Sequence, residues 1–261
     1  MKIHFIGLSC FLIENEMGFR ILIDPFNNSP EWSLGPKFPE EFNGKSFGTN
    51  VVLMSEPDAD HSYSRGDWLQ YAPRTKPHSD PFPDFDLKGS FVYEYNGDLN
   101  IAYQYTIDGL RLAHFADNAH LLSDKQLKEI GSLDIIFISP PKVTADNKAL
   151  NVVRQNINLL KPKIIIWSHH IVPERLPFET DSETLRLFFK KYFKEKASTN
   201  QFYKGEESFI QLCYVLENAL LLNKEYNGLL ISETSIEVNK QSIASLKENP
   251  QSFLFTSMLA Q

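Results

Sequence analysis

The sequence predicts an α/β protein built on two β-sheets, and three observations carry that prediction. Strand signals crowd the first 60 residues, a second strand group lies between residues 90 and 115, and helix and strand alternate from residue 117 onward. With 261 residues, 42% of them hydrophobic and 13% aromatic, the chain has enough apolar side chain for one sizeable core, and residues 1–261 read as a single domain.

The first strands are "KIHFIG" and "CFLIEN", with residues 2 to 6 and 10 to 14 extended, then "FRILIDPF" and "NVVLMS". All are rich in β-branched or aromatic residues and are punctuated by Gly, Asn and Pro. The apolar stretch before Cys10 is shorter than the ~7 to 15 residues of a secretory leader, so it is read as strand. Residues 27 to 49, with "SPEWSLGPKFPEEFNG", form a long irregular loop, the kind that often covers a site. Residues 72 to 90 are rich in Pro and Asp and read as a second loop. The second sheet follows in "SFVYEY", "NIAYQYTI" and "LRLAHF".

Ser123 and Gln126 make a capping box for the short helix "DKQLKEI", which stops at Gly131. "DIIFISP" is a continuous apolar run, as in a strand buried on both faces. "ADNKALNVVRQNINLLKP" places Leu150, Val153, Ile157 and Leu160 on one helical face and ends before Pro162. "KIIIWSHH" is a further buried strand that ends in two histidines. In the next helix Leu185, Phe188, Phe189, Tyr192 and Phe193 form a core-facing stripe, opposite a solvated face of Lys190, Lys191, Lys194 and Lys196. The tail from residue 203 mixes helix and short strands.

A net charge of -7 leaves no basic excess to neutralise phosphates, so neither nucleic acid nor an anionic membrane is an expected partner. A small-molecule substrate is expected instead, with a homo-oligomer open. No apolar run reaches the ~18 residues of a membrane span, since Glu217 and Asn218 interrupt "LCYVLENALLL". Cys10 and Cys213 match no disulfide framework or zinc-knuckle spacing, which fits a reducing compartment, and a cytoplasmic location is expected.

Three strand ends carry polar clusters. Glu56, Asp58, Asp60 and His61 follow "VVLM", Asp117 to His120 follow "LRLAHF", and His169 with His170 follow "KIIIW". Each alone has an ordinary reading as a turn or helix start, because Asp favours both. Together they point to a ligand site, since loops beyond strand ends gather ligands in layered α/β folds. Crowded carboxylates raise one another's pKa unless a cation or solvent compensates, so a metal is the first hypothesis. Imidazole and carboxylate donors suit zinc, manganese or iron, as one or two ions that activate a water.

These segments resemble those of a metallo-β-lactamase-fold hydrolase of the lactonase-like branch. "IGLSCFLIE" and "RILIDPF" stand where such proteins have a Leu-Gly-His-Ser-type turn and an "ILIDP" strand, with Leu8 in place of the usual His. Ser55-Glu56-Pro57-Asp58-Ala59-Asp60-His61 is similar to the family's Ser/Thr-His-x-His-x-Asp-His signature, with carboxylates for both first-site histidines. "GLRLAHFADNAHLLSD" resembles the family's Gly-Leu-Arg-Ile-x-His-x-Gly-Asp-x-Gly-His segment, and "KPKIIIWSHH" its last ligand strand; "SIEVNKQSI" fits its closing segment.

The resemblance covers about the whole chain and implies an αββα sandwich of two mixed sheets with helices outside. It also implies a metal set of Glu56, Asp58, Asp60, His61, Asp117 and His169, with Asp117 bridging and Asp60 or Asp117 orienting the attacking water. The first site's third ligand falls by spacing at Tyr93 or Glu94. Asp24 matches a residue that orients the metal loop by hydrogen bonds. His114 is either such a support or structural, His4 and the loop residue His78 read as packed or surface residues, and His170 points away from His169. Three readings stay open: a metal-dependent hydrolase of a small ester, lactone or phosphoester acting through a metal-activated water; a non-catalytic relative with a degenerate metal site that serves as a binding protein; and a mononuclear enzyme using only the Asp60, His61, His169 and Asp117 side. Ala116 and Ala119, where the family has Gly, add to the departures behind the second.

Overall fold

The computed structural model describes residues 1–26, 38, 49–58, 60–62, 70–71, 79–82, 85–94, 96–143, 147–170, 172, 183–184, 186–188, 190–191, 195, 206–246 and 249–259. The 27 to 49 loop apart from residues 38 and 49, His78, and the stripe residues Leu185, Phe189, Tyr192 and Phe193 with Lys194 and Lys196 lie outside them. Of that stripe, Phe188 is described and packs on the core, while Lys190 and Lys191 are exposed.

The first sheet contains six strands in the order β13-β1-β2-β3-β4-β5, namely β1 (Lys2–Gly7), β2 (Cys10–Glu14), β3 (Arg20–Ile23), β4 (Val51–Leu53), β5 (Gln70–Tyr71) and β13 (Ser235–Glu237). β1, β2 and β3 form an antiparallel meander, and β4 and β5 then add in parallel. The second sheet has eight strands in the order β12-β14-β11-β10-β9-β8-β7-β6. They are β6 (Ser79–Phe82), β7 (Phe85–Tyr93), β8 (Leu99–Ile107), β9 (Leu110–His114), β10 (Ile135–Ile138), β11 (Ile164–Trp167), β12 (Leu229–Ile231) and β14 (Gln251–Phe255). β6 to β9 are antiparallel neighbours, while β9, β10, β11, β14 and β12 run parallel.

Alternation along the strands sorts the apolar side chains. Ile3, Phe5, Phe11, Ile13, Ile21 and Ile23 of the first sheet meet Ile101, Tyr103, Leu112, Ile135, Phe137 and Ile166 of the second between the layers. The other faces of β10 and β11 present Ile136, Ile138, Ile165 and Trp167 to α1 (Asp124–Ile130), α2 (Asn147–Leu160) and α3 (Glu206–Glu225). The helix α1 has the expected capping box and ends at Gly131, whose φ of 72° favours glycine. Leu150, Val153, Ile157 and Leu160 of α2 are all buried. A last short helix, α4 (Lys240–Ala244), is capped by Asn239.

The 72 to 90 segment departs from the expected loop, because β6 and the first half of β7 pair antiparallel there. Pro81 interrupts the sequence signal for a strand, but β6 is the outermost strand of its sheet, where a missing amide hydrogen is tolerated.

Candidate metal centre

The parallel order of β9, β10 and β11 brings three successive strand ends to one edge of the second sheet. The residues beyond those ends are Asp117, Lys142 and His169. Across the interface, the parallel strands β3 and β4 end in Asp24 and in the turn carrying Ser55 to His61. Two bonds stitch the sheets together here: Ile101 N donates to Ser55 O at 3.0 Å, and the Tyr103 hydroxyl donates to Met54 O at 3.1 Å. The β1–β2 turn closes the edge, with Leu8 N donating to His170 O and His169 N donating to Leu8 O, each at 2.8 Å.

Asp24 anchors one side of the site. It is fully buried, and its carboxylate accepts from Ser55 N (2.8 Å), Ser55 Oγ (2.7 Å), His61 Nδ1 (2.9 Å) and His114 Nε2 (2.6 Å). Burial alone would raise its pKa, but His114 and His61 hold it well below the usual carboxylate range. Because an ionised carboxylate only accepts, Nδ1 of His61 carries a proton and Nε2 is the nitrogen turned to the site. This matches the orienting role expected of Asp24, and gives His114 the supporting one.

His61 Nε2 lies 2.6 Å from Glu56 Oε1, 3.6 Å from Asp117 Oδ2 and 3.8 Å from Asp60 Oδ2. Burial pushes the His61 pKa down, but Glu56, Asp60, Asp24 and Asp117 together push it well above its ordinary value. His169 places Nε2 3.5 Å from Asp60 Oδ2, while its Nδ1 lies 2.7 Å from Asp117 Oδ1 and 3.1 Å from Ser9 Oγ. Desolvation lowers the His169 pKa despite that carboxylate. Burial would raise the pKa of Asp117, yet His169, Lys142 and His61 bring it far below normal.

The donor atoms fall into convergent sets. Asp60, His61 and His169 each offer one ligand atom within 4.8 Å of the others, and so do Glu56, His61 and Asp117. A third set is purely carboxylate: Glu56, Asp58 and Glu94. All six residues read from the sequence as metal donors are thereby brought together, and Glu94 joins them. Tyr93, the other candidate by spacing, is instead 43% exposed and meets His120 edge-on. Glu94 lies just past the end of β7 and is half-buried; desolvation and then Glu56 push its pKa up to about 8. Burial, Asp60 and Glu94 raise the pKa of Asp58 as well.

Several supporting residues carried no clear signal in the sequence. Lys142 pairs its ammonium with Asp117 Oδ2 and is partly buried. Its position just past "DIIFISP" obeys the strand-end rule, but a lone Lys after two prolines reads as an exposed loop cation. Asn156 of α2 donates to His120 O at 3.0 Å and accepts from Leu122 N, fixing the turn after Asp117. His120 is exposed and holds the Glu94 carbonyl through Nε2 at 2.8 Å. His170 turns away, stacking on Phe5 and bonding Phe255 O at 2.9 Å, as the alternation along a strand predicts.

Two face-to-face mixed sheets with an imidazole and carboxylate cluster at their common edge define a metallo-β-lactamase-type α/β sandwich. The chain belongs to the beta-lactamase superfamily: residues 2–169 match the model of the beta-lactamase superfamily domain. Among solved structures, it is similar to a candidate Zn-dependent hydrolase of the metallo-beta-lactamase superfamily from Thermotoga maritima. That pair shares 18% identity with a TM-score of 0.53, over 98% of this chain and 99% of the other. A metallo hydrolase from the archaeon Ignicoccus hospitalis is 16% identical, with a TM-score of 0.46 over 78% of this chain and 92% of that one. A metallo-beta-lactamase fold protein from Bacillus subtilis is 11% identical, with a TM-score of 0.45 over 76% and 92%. At 18% identity the likeness to the Thermotoga maritima protein is one of fold. No curated protein matches the sequence.

Proposed function

We propose that the protein is a metal-dependent hydrolase of a small ester, lactone or phosphoester. One observation carries this reading. Glu56 and Asp117 are buried carboxylates that converge on His61 Nε2, with His61, His169 and the Lys142 ammonium against them. Buried carboxylates are costly unless cationic groups offset them, because each forfeits its water. A divalent cation among the neighbouring His61, His169, Asp60 and Asp117 would supply further positive charge, and a site with two imidazoles and neighbouring carboxylates fits zinc, manganese or iron.

Asp60, His61 and His169, with Asp117, would hold the ion. When bound, it supplies a Lewis acid for the substrate oxygen and a water acidified to near neutral pH. The chain's own residues do the rest. Asp24 locks the ring of His61, Ser9 and Asp117 orient His169, and Asp60 or Asp117 would orient the attacking water and take its proton. The overall negative charge supports a small uncharged or weakly anionic substrate over nucleic acid.

The test is turnover of an aryl ester, a γ-lactone and an aryl phosphodiester by protein purified without chelator. Activity on at least one is expected, lost after dialysis against EDTA and restored by Zn2+ or Mn2+. His169→Ala is expected to lower kcat/KM by on the order of 100-fold or more, with the circular dichroism spectrum kept. Turnover indifferent to both chelator and His169→Ala would overturn the reading.

A further inference from the structure

The site has two unlike halves. His61, His169 and Asp60 make one; Glu56, Asp58 and Glu94, with no imidazole among them, make the other. The ammonium of Lys142 lies against Asp117 Oδ2, the same oxygen that stands 3.6 Å from His61 Nε2. Its charge reaches Asp60 and Glu56 as well as Asp117, and it also acts on Asp58 and Glu94. A lysine serves this geometry, being a compact charge with three donors that several carboxylates can share.

Lys142 is also held in place. Pro140 and Pro141 restrict the chain just before it. The carbonyls on either side of it, Pro141 O and Val143 O, both accept from Asn218 Nδ2, at 2.8 and 2.9 Å. Asn218 is fully buried in α3, so a helix on the outer face of the sheet fixes the loop that delivers the ammonium.

We propose that Lys142 is a built-in cation that takes the place of a second metal ion, so that the carboxylate half of the site stays free of metal and the protein works with a single ion. This rests on the metal site proposed above. Within the donor sets the buried carboxylates are Glu56 and Asp117, while Asp58 is exposed and Asp60 and Glu94 are partly exposed, so solvent serves these three. Lys142 and one divalent ion neutralise the buried pair. A second ion sharing Asp117 Oδ2 would sit beside the ammonium, and two cations that close in a partly buried site repel strongly.

The experiment is equilibrium dialysis of chelator-stripped protein against excess Mn2+, with metal counted by mass spectrometry and the Mn2+ spin state read by electron paramagnetic resonance. Wild type is expected to hold one ion with an uncoupled six-line spectrum. Lys142→Met is expected to hold two with a spin-coupled spectrum, and Lys142→Arg, which keeps the charge, to hold one. Two ions in wild type would overturn the proposal even if Lys142→Met failed to fold. One ion in both wild type and Lys142→Met would overturn it while leaving the metal reading standing. No ion in any of the three proteins would instead remove the metal reading, and this proposal with it.

Discussion

Four residues at the site hold a backbone conformation that side chains disfavour. Leu8 (φ 54°), Asp24 (φ 46°), Ala116 (φ 49°) and His169 (φ 60°) all lie in the left-handed region. Each costs roughly 1 to 3 kcal/mol in typical surroundings. The cost falls where direction matters: these positions aim Asp24 at His61, Asp117 at the cluster and His169 at Asp60. His170, next along, titrates in a way that can be measured. Burial lowers its pKa to about 4, below the ordinary 6.5, so the unfolded chain takes up a proton first. Stability is therefore expected to hold above about pH 7 and to fall between pH 6.5 and 4, by up to roughly 3 kcal/mol from this group. Urea titrations across that range should show the fall, and His170→Gln should flatten it. Legibility at this scale was uneven for physical reasons. Asp60, His61, Asp117 and His169 could be read because acidic and imidazole residues clustered where apolar strands end. Lys142 could not, because nothing in "SPPK" distinguishes an ammonium aimed inward from one in solvent. The choice of Glu94 over Tyr93 needed the register of β7, which turns Val92 inward and Tyr93 out.

The elements were more legible than the side chains they deliver. Ser123 and Gln126 defined the start of α1, and the apolar face of α2 was read from its spacing alone. The strand β6 was not, since Pro81 hides an edge strand from any pattern based on β-formers. What no local pattern conveys is how one element serves another across the fold. Asn218 reads as a polar break in an apolar helix, yet in α3 it grips the loop between Pro141 and Val143. Asn218→Ala removes a buried donor and leaves two carbonyls without it. A loss of about 1 to 3 kcal/mol in urea unfolding is expected. If the two residues act as one unit, the double variant with Lys142→Met should cost less than the sum of the single changes.

At the scale of the whole molecule, the α/β class and the two sheets followed from hydrophobic periodicity, and the family from the segments between strands. The chemistry follows from neither, because one fold supports many activities. It rests on where the two sheets put their strand ends, with five carboxylates, two imidazoles and one ammonium at a common edge. Among the described residues no helix is long and apolar enough to cross a membrane. The most direct test of the central claim is anomalous diffraction from a crystal soaked in Zn2+ and recorded on both sides of the zinc absorption edge. The account predicts one strong anomalous peak bounded by Asp60, His61 and His169 and touching Asp117, with none among Glu56, Asp58 and Glu94. A site with no peak at full zinc saturation would contradict it, and would leave a superfamily member whose buried carboxylates are served by Lys142 and solvent rather than by metal.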